Sequence, residues 1–207
     1  MPYKKVPLIT NEIYHIYSRG VDTRTIFCNE ADYKRFYYSL QLFNTVEPII
    51  NFQQAYIHRH DSNKQLVDIH AYALVGNRFH LLIKQVIEDG ITEFMRRVSV
   101  GYAGYFNEKN ERSGALFQGR FKRVHVVSEE QYQYLFAYIN ENHTVHDVAV
   151  PQHIWYTSSL HYTGKKRSVL MPDSVTKHTS AYNAREAARL AQSIYKKRRF
   201  NDACLLE

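Results

Sequence analysis

His80, Tyr138 and Asn142 are the residues whose types and spacing would do chemistry. A phenol is a weak nucleophile that forms a covalent ester with a transferring group once a base, a positive charge or a metal favours its anion. Cleaving a phosphodiester in this way also needs the phosphate held in place and positive charge placed on its oxygens. A divalent metal is a usual source of that charge, and an imidazole nitrogen and a carboxamide oxygen are suitable ligands for one. Tyr138 and Asn142 are four residues apart, so a helix through them sets both side chains on one face. Each signal alone has an ordinary structural reading. A histidine inside an apolar strand is more often a core residue than a ligand. One tyrosine among 17 is more often packing than nucleophile, and an asparagine of this kind is what any helix end provides.

The elements that must position these groups follow from pattern. Residues 12–18 have the aromatic and β-branched content of a strand. Asn29 suits the cap of a helix running to about Phe43, with Tyr33, Phe36, Tyr37 and Leu40 on one face. Residues 51–59 read as a strand and the polar stretch from Arg59 to Lys64 as a turn. Two apolar runs, 66–75 and 79–86, are split by Gly76-Asn77, a dipeptide made for a tight hairpin turn. The second run, which holds His80, is too apolar for an exposed strand and belongs in the middle of a sheet. Residues 91–109 show a helical apolar stripe, and 112–123 a basic, aromatic loop. Val124–Val127 is a short strand, after which Ser128 and Gln131 form a capping box for a helix through Tyr138 that ends near Asn142. The order is strand, helix, two strands, helix, strand, and then further helix. The simplest match is an α+β, ferredoxin-like (RRM-like) βαββαβ core, an antiparallel sheet with helices on one face.

Composition limits the partners. The chain has 207 residues, 44% of them hydrophobic, and a formal charge of +7. That size and apolar content support one core with appendages. The basic surplus points to polyanions, nucleic acid or an anionic membrane surface, with a merely solvated basic surface as the equal alternative. No window approaches the ~20 apolar residues of a membrane span, and the first ten residues lack the apolar run of a signal peptide. Cys28 and Cys204 form neither a disulfide framework nor a zinc knuckle. A cytoplasmic location is the default. Residues 1–160 read as one domain, and 161–207, with ten Lys or Arg against four Asp or Glu, as a basic and partly helical C-terminal tail.

Five blocks together resemble a known family. Tyr14-His15-Ile16-Tyr17-Ser18-Arg19-Gly20, the run from Ala71 to Ile83, the loop from Ser113 to Lys122, Tyr138-Ile139-Asn140-Glu141-Asn142, and Trp155 to Leu160 stand in the order and spacing of REP-associated tyrosine transposases, single-strand DNA transposases of the HUH type. The resemblance implies single-stranded or hairpin DNA as partner, a cytoplasmic and nucleoid-associated prokaryotic protein, and either a monomer or a homodimer. It also implies a divalent metal, Mg²⁺ or Mn²⁺, as cofactor. It casts Tyr138 as the nucleophile of a 5′-phosphotyrosine intermediate, and His80 and Asn142 as metal ligands.

The sequence departs from that pattern at the first histidine, which is Arg78. A guanidinium stays protonated and cannot ligate a cation. Asn140 stands where relatives often have His, and the usual Asn-Pro reads Asn142-His143. Three outcomes are open. Arg78 holds the phosphate directly, with the metal weak or dispensed with. Or His70 or His143 completes the metal site. Or chemistry is lost and DNA binding kept, as in a domesticated binding protein. The expected DNA contacts are Arg19, Arg112, Gln118, Arg120, Lys122 and Arg123 on the backbone, Phe117 or Phe121 on a base with at least one of the two packed in the core, and Lys165, Lys166 and Arg167 on a hairpin stem.

Overall fold

A computed structural model describes residues 7–49, 51–57, 64–145, 153, 156–173, 175 and 183–200. Its elements are β1 (Ile13–Arg19), a 3-10 turn (Val21–Thr23), α1 (Glu30–Leu42), α2 (Phe52–Ile57), β2 (Val67–Val75), β3 (Arg78–Gln85), α3 (Gly90–Lys109), β4 (Lys122–His125), α4 (Glu129–Asn140), α5 (Asn142–Val145), α6 (Ser159–Tyr162) and α7 (Ala184–Phe200). The sheet order is β2-β3-β1-β4 and every neighbouring pair is antiparallel, the ferredoxin-like arrangement that the element order predicts.

Local chemistry sets the boundaries. Asn29 caps α1 through a reciprocal pair with Asp32, satisfying two backbone donors that the first turn would otherwise leave open. Ser128 accepts from the Gln131 N–H at the start of α4, and Gln131 Oε1 in turn accepts from the Val127 N–H at 2.9 Å. Gly76 closes the β2–β3 hairpin at φ 41°, a left-handed conformation that costs glycine little.

Because side chains alternate along a strand, β3 serves two faces at once. Phe79, Leu81 and Ile83 point one way and are fully buried. There they meet α1 and α3 in an aromatic cluster, with Phe36 and Phe79 ring centroids 5.0 Å apart and Phe36 and Tyr102 also 5.0 Å apart, edge to face. The two core helices thus share one face. Arg78, His80 and Leu82 point the other way, toward α4, and α7 lies against α4 with Ala191 fully buried. Helix α7 of the basic tail is therefore packed onto the core.

The free edge of β2 is covered. Leu74 N–H donates to Tyr156 O at 2.7 Å and Ser158 N–H to Tyr72 O at 3.0 Å. Side chains tie the same segment to the end of α4: Ser158 Oγ donates to Asn140 Oδ1 at 2.6 Å, Thr157 Oγ1 to Asn140 O at 3.0 Å, and Ser159 Oγ to Glu141 Oε1 at 2.9 Å. Two of the blocks noted in the sequence are thus in direct contact.

Three expectations are corrected. Residues 52–57 are helical, where the apolar and aromatic content had pointed to a strand. The reason is the spacing of Phe52 and Tyr56, whose rings stack one helical turn apart, with the Arg35 guanidinium 3.2 Å above the Phe52 ring. The last strand lies two residues earlier than expected, at Lys122–His125. The helix bearing Tyr138 ends at Asn140, with Glu141 as its cap and Asn142 opening α5. The expected turn lies largely, and Trp155 wholly, outside the described residues.

Phe79 is the side chain on which α1 and the 112–121 loop both converge, since it also meets Phe117 edge to face at 5.8 Å. Phe79→Ala is expected to lower stability by about 3–5 kcal/mol, read as a reduced urea midpoint with an unchanged slope.

Candidate functional site

Strand register brings the chemistry-bearing residues together. In β1, His15, Tyr17 and Arg19 alternate onto the same face as Arg78 and His80. Tyr17 pairs with His80 and Arg19 with Arg78, while Tyr17 pairs on its other side with Lys122 of β4. The loop returning from α3 closes on the end of β1: Gln118 N–H donates to Arg19 O at 2.9 Å and Val21 N–H to Leu116 O at 2.9 Å. Gly20 lets the chain turn back tightly after β1, since a Cβ there would lie 2.2 Å from Arg24 O. Arg19 Nε donates to the Gln118 side chain.

The outcome is a cavity of about 80 Å³ lined by Arg19, Arg78, Arg120 and Lys122 together with Tyr17, Ser18, His80 and Gln118. Four basic side chains converge there, and no carboxylate lines the cavity. Such a site is built for an anion with several oxygens.

His80 forms the inner wall. Its ring stands edge to face with Tyr138 at 5.7 Å, and it stacks on Tyr17 at 5.9 Å and on His15 at 5.3 Å. The phenol of α4 and the imidazole of β3 are therefore neighbours. Tyr138 is 2% exposed. Burial, reinforced by Tyr134, pushes its phenol up to about 12, while Asn142 and the Arg78 charge pull the other way. Tyr195 of α7 adds to the upward push. Asn142 is 1% exposed and its amide faces the Tyr138 hydroxyl closely enough to favour the phenolate, although neither amide atom makes a hydrogen bond of standard geometry.

Sequence reasoning missed two members of the site. His15 is fully buried, with its Nε2 3.0 Å from His80 Nδ1, and burial holds it down to about 3, so it is neutral. Tyr17 is half-buried on the cavity wall, with the Lys122 ammonium 5.9 Å from its ring centroid. The period-2 alternation of β1 was visible in the sequence, but pairing it with His80 requires the register.

The residues present do not fit a divalent metal. His80 and Asn142 offer two neutral donors, and the third corner is a guanidinium. A cation beside His80 would also face Arg19, Arg120 and Lys122. His70 does not complete the set: its Nδ1 is 3.0 Å from Tyr132 Oη, and it lines a separate cavity with Asp68 and Lys84. Among the described residues no group of three or more His, Cys, Asp or Glu is placed to hold a metal ion.

Several expected DNA contacts lie elsewhere. Phe117 is 9% exposed and packs into the aromatic core, so it presents no ring for stacking. Arg112 braces its own loop, donating to Asn107 and to Ala115 O. Arg123 pairs with Ile16 and so points from the sheet face opposite the cavity. Lys165, Lys166 and Arg167 are exposed in the segment that follows the β2 edge, at the side of the sheet away from β4.

The sequence matches no protein-family model and no curated protein. Its fold is similar to a solved structure described as a REP-associated tyrosine transposase bound to a REP hairpin, with a TM-score of 0.56 and 12% identity over 83% of this chain and 88% of that one. The likeness is one of fold.

His70 makes the structure acid-sensitive. Burial, assisted by Lys84, holds it down to about 4 against 6.5 when exposed. The unfolded chain binds the proton near pH 6.5 and the folded chain does not until about pH 4. This contribution is complete above the higher value and falls as pH drops toward the lower one. Urea unfolding at pH 5 is expected to show about 1–2 kcal/mol less stability than at pH 7 from this group, and His70→Phe to remove that share while leaving the part that buried His15 contributes.

Proposed function

We propose that this chain binds single-stranded or hairpin DNA with a phosphodiester seated among Arg19, Arg78, Arg120 and Lys122, and that Tyr138 attacks that phosphate. The observation behind the reading is the convergence of four cations, free of carboxylates, on a cavity whose inner wall is the imidazole packed against Tyr138. The fold match to a hairpin-bound transposase supports DNA as the polyanion.

In the proposed step Tyr138 Oη forms a bond to phosphorus and the bond from phosphorus to O3′ breaks. The proton lost by the phenol balances the one gained by O3′. The products are a 5′-phosphotyrosine and a free 3′-hydroxyl, and attack by a second 3′-hydroxyl reverses the step and joins a new strand. Positive charge on the non-bridging oxygens comes from the guanidinium groups. Arg78 serves twice, holding the phosphate and favouring the phenolate of Tyr138.

A second reading, DNA binding without cleavage, is favoured by the burial of the phenol and by a donor set that does not fit a metal. Incubation with hairpin-bearing single-stranded DNA separates the two. A covalent protein–DNA adduct that survives denaturation and is lost in Tyr138→Phe is the expected outcome. Salt-sensitive binding with no adduct establishes the second reading instead.

The cavity is tested by salt. Arg120→Gln and Lys122→Gln are each expected to lower the slope of log affinity against log salt by about 0.7 and to weaken binding to all sequences alike. Slopes unchanged in both variants would place the phosphate somewhere else.

A further inference from the structure

The charge on the cavity exceeds what an internal phosphodiester can balance. Arg19, Arg78, Arg120 and Lys122 line it with no carboxylate among them, whereas each phosphate within a strand brings one negative charge. Among the described residues no carboxylate forms a salt bridge with Arg19, Arg78 or Arg120. Neutral amides orient two of these guanidinium groups instead. Arg19 Nε donates to Gln118 Oε1. Arg78 Nε donates to Asn77 Oδ1 at 3.2 Å, and Asn77 Nδ2 is itself held by Thr23 O at 3.3 Å. An amide fixes the plane of a guanidinium and cancels none of its charge. Held by Nε, each of the two side chains keeps its terminal nitrogens for a ligand.

The cavity is also closed at one end. His80, 4% exposed, forms the inner wall. Tyr17, Arg19 and Arg78 are half-buried around it, and Gln118, Arg120 and Lys122 are exposed at the rim. The volume is about 80 Å³. A water needs roughly 10–15 Å³ of such space, so a group of about five heavy atoms fits, which is the size of one phosphate. A phosphate within a strand has two bridging oxygens, both of which must lead back over the rim, and two free oxygens to offer. A phosphate at a strand end has one bridging oxygen to lead out and three free oxygens, one for each guanidinium. It also carries a charge of about −1.5 to −2 at neutral pH. Charge, shape and donor count favour the same ligand.

We propose that the cavity binds a phosphate monoester at the end of a DNA strand in preference to an internal phosphodiester. That DNA bears the phosphate rests on the reading above, while the preference for a doubly charged, singly substituted phosphate rests on the cavity alone. A phosphorylated end seated there takes the place of the phosphodiester that Tyr138 would attack. Strand ends and internal phosphates therefore exclude one another at this site, and a phosphorylated end is a ligand of the free protein and a competitor of the strand to be cut.

The test is an anisotropy titration of the full chain with one hairpin DNA, labelled in its loop, whose single-stranded tail ends in a phosphate or a hydroxyl. The tail is placed on the 5′ and on the 3′ side in turn. A terminal phosphate on at least one side is expected to tighten binding about ten-fold over the hydroxyl. Arg120→Gln, at the exposed rim, is expected to shrink that gain to about two- to three-fold, a coupling that attraction spread over the whole basic surface does not produce. Inorganic phosphate, added at constant ionic strength, is expected to erase the gain only at millimolar concentration. The wild-type comparison decides the preference even where the variant fails to fold. Equal affinities for phosphate and hydroxyl ends overturn the preference and leave DNA binding standing. Inorganic phosphate that binds as tightly as the phosphorylated strand makes the free ion the occupant and overturns the strand end. No affinity for either DNA overturns the strand end and the functional reading together.

Discussion

The alternation of β3 between two buried faces is the constraint on which the rest of the structure depends. A strand flanked by layers on both sides leaves no direction in which a polar side chain reaches water freely, so every polar residue on it needs a partner or an exit. Phe79, Leu81 and Ile83 meet this by filling the aromatic core. Arg78 and His80 meet it differently. Arg78 sits at the strand's end beside the hairpin turn, where Nε donates to Asn77 Oδ1 at 3.2 Å and the guanidinium opens into the cavity. His80, two residues deeper, is 4% exposed and has an imidazole from the neighbouring strand within hydrogen-bond distance. Along β1 the same gradient runs from His15, fully buried, through half-buried Tyr17 to Arg19 at the rim. The site is thus the place where the two layers part, polar because it is open and ordered because its inner end is closed.

The opposite wall is held by a buried polar network. Asn140 accepts from Ser158 and donates from Nδ2 to Phe136 O at 3.0 Å, and Glu141 accepts from Ser159. These bonds fix the end of α4 against the covered edge of β2, and so fix where Tyr138 and Asn142 stand relative to His80. Fully satisfied networks of this kind rigidify a fold, and partly satisfied ones weaken it. Asn142 is the exception within the block. Its amide is buried and lacks bonds of standard geometry, and it is the member that faces the phenol. The residues that look alike in the sequence therefore divide into anchors and one amide turned to the phenol.

Much of the fold was legible because its local signals agree with its packing. The caps at Asn29 and Ser128, the Gly76-Asn77 turn and the stripe of α3 each specify an element independently of tertiary context, and the strand order follows from the element order. What was hidden lies in pairing and shared use. The aromatic content of 51–59 suits a strand or a helix equally, and the stacking of Phe52 on Tyr56 and under Arg35 decides for the helix. Phe117 stands in a basic loop and reads as a surface ring, but the loop folds back so that its ring closes the core. Arg123 and Lys122 are adjacent in sequence and lie on opposite faces, which is a matter of one residue of register. His15 stands in one of the family-like blocks, yet nothing along β1 alone says that its partner is His80.

Electrostatics explains why an arginine at position 78 alters the whole site. Histidine there would contribute a neutral donor and let a mobile cation supply charge. Arginine supplies a fixed charge on a planar fork, and with Arg19, Arg120 and Lys122 it makes the cavity positive before any ligand arrives. A further cation entering such a cavity meets repulsion that falls off slowly in a half-buried setting, while an anion such as a phosphodiester would relieve the mutual repulsion of the side chains. Arg78 and a bound metal are therefore alternative solutions to one problem, and this chain's other charges agree with the first. That choice has a chemical cost. In the proposed cleavage a guanidinium would hold the phosphate with less polarisation than a divalent ion, and would leave the activation of Tyr138 to Asn142 and the Arg78 charge, which oppose the burial that pushes the phenol up to about 12.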